Sequence, residues 1–163
     1  KIRTMENSYH LDFWKALSAN PTPMTFSEVY IGLQQGTIDA QENPYEVIVS
    51  SKLYEQQDYV VETNHLPHYI SLIVSDEFFN DLPKEQQEII TQASETAKEY
   101  ARKASDERIE DRIKIIEDSG TKIVKLSDKV HEQIREASSD IYQEIEDSVS
   151  EELVDSYLQG VEK

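Results

Sequence analysis

The chain has 163 residues, with 16 Lys and Arg against 33 Asp and Glu, and a formal net charge of -17. A negative field of that size repels phosphate backbones and anionic lipid, so nucleic acid is set aside as a partner, whereas a small anion gripped by one buried cation is still allowed. The absence of cysteine removes disulfides, thiolate catalysis and cysteine-ligated metal, and no apolar run approaches the ~20 residues that a bilayer crossing needs.

Residues 1–6 read as a strand and 10–19 as a helix with Leu11, Trp14 and Ala16 or Leu17 on one face. Asn20, Pro21, Thr22 and Pro23 stop that helix. Residues 24–26 read as briefly extended, and Ser27 as the cap of a helix that carries Val29, Ile31 and Leu33 and ends at Gly36. The Gly32 and Gly36 pair has the spacing of a membrane dimer motif, but in a short polar helix it reads as tight packing plus a cap. Residues 37–43 are expected to be extended, and Pro44 suits the first turn of a helix to about Tyr54. Residues 59–62 and 69–74 carry the β-branched and aromatic content of strands. The alternation of helix and strand predicts an α/β fold.

Residues 83–118 have a proline at the entry, Gly120 just past the end and neither residue type between. At ~1.5 Å per residue they form a rod of roughly 54 Å, longer than one small lobe is wide. The apolar stripe changes midway, from Ile89, Ile90, Ala93, Ala97, Tyr100 and Ala104 to Ile109, Ile113 and Ile116, and a polar stretch at 102–108 separates the two. Those halves are expected to face two cores, with the helix bridging two lobes. A coiled coil is the alternative, although no strict seven-residue repeat is kept. A strand at 121–126 and two terminal helices over 127–163, capped at Ser127 and Ser150, complete the reading.

Among candidate chemical groups, Arg3 lies on the opening strand, where a planar guanidinium can anchor a carboxylate through two parallel hydrogen bonds. Taken alone it is equally a surface or ion-pair arginine. Asn43, before Pro44, is either an amide donor to a ligand or a plain helix cap. Phe26 either walls a pocket or fills the core, and Trp14 reads as core. His65 and His68 invite a metal reading, but Pro67 breaks helical presentation and a third ligand is missing, so no metal is assigned and a hydrogen-bonded His65 is expected. Thirty-three carboxylates make chance acid pairs inevitable. The sequence holds no G-x-S-x-G, phosphate-loop or dinucleotide pattern, so no cofactor and no catalytic residue is assigned.

In order, Lys1-Ile2-Arg3, Ala19-Asn20-Pro21-Thr22-Pro23-Met24, Phe26-Ser27-Glu28-Val29-Tyr30, Leu33-Gln34-Gln35-Gly36, Asp39, Gln41-Glu42-Asn43-Pro44, Lys52-Leu53-Tyr54-Glu55 and Thr63-Asn64-His65 resemble the solute-binding proteins of TRAP (tripartite ATP-independent periplasmic) transporters. The similarity runs through Leu82-Pro83-Lys84-Glu85-Gln86-Gln87 to the end and accounts for the C-terminal half of a typical member. The resemblance implies that Arg3 pairs with the ligand carboxylate, that Asn43 hydrogen-bonds the ligand and that Phe26 walls the cleft. It also implies that Glu42 and His65 belong to a network coupling closure to binding.

It further implies a two-lobed periplasmic-binding-protein-like fold, of which this chain is a fragment amounting to one and a half lobes. Residues 1–67 then belong to the second lobe, 68–108 return to the first, and 109–163 finish the second. Implied too are a small organic acid ligand, membrane permease subunits as partners, an extracytoplasmic address, periplasmic or anchored at a Gram-positive surface, and a signal peptide upstream. Glu6 places an acid close to Arg3, harmless if a regular strand points the two apart. The fragment is expected to self-associate through uncovered first-lobe surface. The rival expectations are a hydrolase using a carboxylate pair or His65, and a helical interaction module.

Overall fold

The computed structural model describes residues 1–161. Its elements run β1 (Ile2–Thr4), α1 (Ser8–Ala16), β2 (Pro21–Pro23), a 3-10 turn at Phe26–Glu28, α2 (Val29–Gln34), β3 (Ala40–Gln41) and α3 (Tyr45–Ser50). A second 3-10 turn at Leu53–Gln56 leads to β4 (Tyr59–Glu62), α4 (Asp76–Asp81), α5 (Lys84–Asp118), β5 (Lys122–Lys125), α6 (Asp128–Ala137), α7 (Ser139–Ser148) and α8 (Glu151–Val161). Two small parallel sheets result, one ordered β2-β1-β3 and one pairing β4 with β5. The fold is α/β, as the alternation of elements requires.

Arg3 on the central strand registers with Thr22 of β2 and Gln41 of β3. Neighbours in register on a parallel sheet point to the same face, so these three side chains form one row. The core below is built from Val29, Leu33, Ile38, Ile48, Leu53 and Ile116. Thus the C-terminal end of α5 is packed into the body that carries the sheet, against α3 and β5.

The end of α2 shows how a local sequence fixes this body. Gly36 adopts a left-handed φ of 68°, its N–H donates to Leu33 O at 3.1 Å, and the Thr37 N–H donates to Gly32 O at 2.9 Å. That pair of bonds is the glycine-dependent closure that satisfies orphan carbonyls at a helix end. A Cβ on Gly32 would stand 3.2 Å from Ile38 and from Met24, so its spacing from Gly36 does reflect packing plus a cap.

Several elements differ from expectation for physical reasons. Residues 21–23 form a strand instead of merely stopping a helix, because β2 lies at a sheet edge, where proline's missing N–H costs little. α1 begins earlier, with Asn7 as its cap, and ends earlier, since Ser18 turns left-handed at φ 62°. Ser27 lies inside the 3-10 turn and caps nothing. Pro44 stands just before α3, which ends at Ser50 because Lys52 adopts φ 54°. Residues 69–74 form no strand: an extended segment becomes one only when a neighbour takes its N–H and C=O groups, and none of the described residues does. Three helices, not two, end the described chain, with the break at Ser138, which donates back to Ile134 O.

Candidate functional site

Arg3 is 5% exposed, held in the middle of the three-stranded sheet. Its Nε donates to Met24 O at 3.0 Å, which fixes the guanidinium plane and leaves Nη1 and Nη2 without a hydrogen-bonded partner among the described residues. The guanidinium carbon lies 5.6 Å from the centroid of the Phe26 ring, and Phe26 itself is 43% exposed. Phe26 therefore does not fill the core. Burial lowers the pKa of Arg3 and Glu42 partly restores it; an arginine remains charged under such a shift. Glu6 lies beyond the end of β1, exposed, and the carboxylate whose charge acts on Arg3 is Glu42.

Asn43 lies between β3 and α3, in the extended backbone that a following proline favours. It is not the helix cap, since Pro44 occupies that position and no side chain caps α3. Its Nδ2 donates instead to Gln41 Oε1 at 2.7 Å. Gln41 Nε2 donates to Gln57 Oε1 at 3.5 Å, and Gln57 Nε2 to the Asp39 carbonyl at 3.2 Å. α3 has only six residues, so its dipole adds little beside the full charge of Arg3.

Glu42 sits between two imidazoles. His10 Nδ1 is 3.7 Å from Oε1 and His65 Nε2 is 3.6 Å from Oε2, with the three side chains 13–14% exposed. His65 Nδ1 pairs with Thr63 Oγ1 at 2.7 Å, which directs its buried Nε2 toward Glu42. Phe13 stacks on the His65 ring at 5.0 Å, and Trp14 meets it edge-on at 5.1 Å. Trp14 thus belongs to this cluster and not to the main core. Tyr45, which packs on the main core, donates through its hydroxyl to Glu62 Oε1 at 2.6 Å; burial and that bond raise the Tyr45 pKa.

The structure therefore brings Arg3 together with Phe26 and Glu42, and Glu42 with His65. Gln41, beside Arg3 in the sheet, links Asn43 to the same row. His68 is exposed, and no metal-binding cluster occurs among the described residues. Sequence reasoning missed His10, Gln41 and Gln57. The hint for His10 was its place in the first turn of the helix that follows the strand carrying Arg3, whereas nothing in the sequence alone reveals the contact between Gln41 and Gln57. Two open surface hollows lie away from Arg3, one along α8 and one between α4 and α5.

Arg3 and its surroundings offer hydrogen-bond donors and a fixed positive charge to an anion, while Glu42 lies between two imidazoles. Chemically, such an arrangement can hold an anion. The chain belongs to bacterial extracellular solute-binding protein family 7, whose sequence pattern matches residues 1–148. A solute-binding protein of Roseobacter denitrificans is 42% identical over 102 residues, covering 63% of this chain and 31% of that protein. The ectoine-binding periplasmic protein TeaA of Halomonas elongata is 32% identical, covering 96% of this chain and 48% of its own length. The crystal structure of a TRAP periplasmic solute binding protein from Polaromonas, bound to D-erythronate, superposes with a TM-score of 0.88 at 32% identity, covering 96% of this chain and 51% of that one. The chain spans about half the length of that structure and of TeaA, and less of the first relative.

Proposed function

We propose that the full-length protein is the extracytoplasmic solute-binding component of a TRAP transporter, which captures a small organic carboxylate and hands it to membrane permease subunits. The observation that carries this is the state of Arg3: buried, pinned through Nε, and with both terminal nitrogens uncommitted. Two parallel N–H donors on a fixed plane match the two oxygens of a carboxylate. Phe26 forms the aromatic side of the cleft and Asn43 supplies a directional polar contact. Glu42, linked to His65 and His10, ties β3 to α1 and to the segment after β4. A shift of that segment during closure is thereby felt beside Arg3. Closure follows when the shut form binds the acid better than the open one.

The division into lobes assigns residues 1–67 and 109–163 to the lobe bearing Arg3, and 68–108 to the other. Its support is the long helix: Ile116 at one end is 0% exposed, whereas Ile89 near the other is 59% exposed. Related proteins were crystallised with D-erythronate, β-D-galacturonate, galactonate and succinate, and the proposed solute shares their carboxylate. This role needs no cofactor and no catalysis.

Isothermal calorimetry on the full-length protein with D-erythronate, galactonate, galacturonate and succinate tests the reading. Arg3→Lys keeps the charge but removes the fork, and is expected to weaken the tightest of these acids by about tenfold or more. Undiminished affinity in that variant overturns the assignment of Arg3.

A further inference from the structure

Three side-chain amides, those of Asn43, Gln41 and Gln57, join head to tail beside Arg3 and end on a backbone carbonyl. The direction of that chain is not arbitrary. The Asp39 carbonyl can only accept, so Gln57 must turn its NH2 toward it, at 3.2 Å. Gln57 then presents oxygen to Gln41, whose Nε2 lies 3.5 Å away, and Gln41 in turn presents oxygen to Asn43, whose Nδ2 lies 2.7 Å away. An amide flip at any one link sets oxygen against oxygen or NH2 against NH2. The Asp39 carbonyl is itself held in place, because the Ala40 N–H in the same peptide plane donates to Lys1 O at 3.1 Å, immediately before β1.

We infer that Gln41, backed by Gln57, is a positioning residue that fixes which way the Asn43 amide faces in the binding site; this rests on the ligand-binding role proposed for Asn43. Gln41 consumes one of the two N–H donors of Asn43. The other N–H and the oxygen Oδ1 make no hydrogen bond among the described residues. Asn43 therefore meets a bound acid as one donor and one acceptor side by side, in a fixed order. Gln41 is placed for this task by its register with Arg3, which puts carboxylate anchor and amide aligner on adjacent strands and the same face. Without Gln41, the Asn43 amide can rotate or flip, and part of the binding free energy goes into ordering it again.

The test is a double-mutant cycle in the full-length protein, read by calorimetry with the tightest of D-erythronate, galactonate, galacturonate and succinate. Gln41→Leu is expected to weaken binding ~5-fold, with a melting temperature close to that of the unaltered protein. In an Asn43→Ala background the same substitution should change affinity by less than about twofold, because the residue through which it acts is gone. Gln57→Leu, one amide further back, should show the same coupling in smaller measure, and replaces Gln41→Leu if that variant does not fold. Equal losses with and without Asn43, or no loss at all, overturn the inference while leaving the carboxylate receptor standing. If the unaltered protein binds none of the four acids, the receptor reading fails and the inference with it.

Discussion

Tyr45 and Glu62 are a pair whose contribution depends on pH with a definite sign. Burial, then the bond to Glu62, raises the Tyr45 pKa above its usual value of about 10. A raised folded-state pKa means that the stabilisation is fully present below the unfolded value and is lost as pH climbs through and beyond it. Tyr45→Phe should therefore lower the urea midpoint at pH 8, by about 1 kcal/mol in free energy, with the gap to the unaltered protein shrinking above about pH 10. A gap that stays constant from pH 8 to pH 11 contradicts this account. The same scale shows why the site was only partly legible. Arg3, Asn43 and Phe26 were reachable through an ordered series of short motifs; Arg3 lies beside Phe26, and Asn43 is linked to the Arg3 row through Gln41. His10 was not, because its meeting with Glu42 depends on how α1 packs against β1 and β2, across 32 residues of chain.

Individual elements were legible where one residue type dictates the backbone. Gly36 ended α2 as expected, since a left-handed residue there closes the helix, and Gly36→Ala should destabilise by about 1 kcal/mol, read as a lower midpoint in thermal denaturation. A midpoint unchanged by that substitution would mean that the turn relaxes without strain. Elements were misread where the outcome depends on a neighbour. Pro21 and Pro23 look like breakers alone and become an edge strand only beside β1. Residues 69–74 look like a strand alone and remain unpaired here. The long helix combines both lessons: its continuity follows from composition, but which face is covered follows from context. In this chain, Ile116→Ala should cost about 2–5 kcal/mol, as deletion of a fully buried side chain does, and Ile89→Ala close to nothing. In the full-length protein Ile89→Ala should become costly, because the lobe assigned to residues 68–108 then surrounds it. Equal, small effects of Ile89→Ala in both proteins, by urea denaturation, would falsify the bridging assignment.

At the scale of the molecule, two features pull in opposite directions. Residues 69–74 expose Tyr69, Ile70, Leu72 and Ile73, with Ile70 at 89% and Ile73 at 85%, and Phe78, Ile89 and Tyr100 continue the apolar surface along α4 and α5. An extended apolar segment with unsatisfied backbone groups is a template for pairing with another copy. The net charge of -17 opposes that pairing through repulsion between copies. Salt screens repulsion over a Debye length of about 10 Å at 0.1 M but leaves hydrophobic contact intact. The isolated 163-residue chain should therefore self-associate, and more so as salt rises, in multi-angle light scattering. The full-length protein should not follow this trend, since its additional half would cover the segment assigned to the other lobe. A chain that stays monomeric at high salt means that residues 69–74 find cover within the chain itself, and the assignment of 68–108 to the other lobe then loses one of its supports.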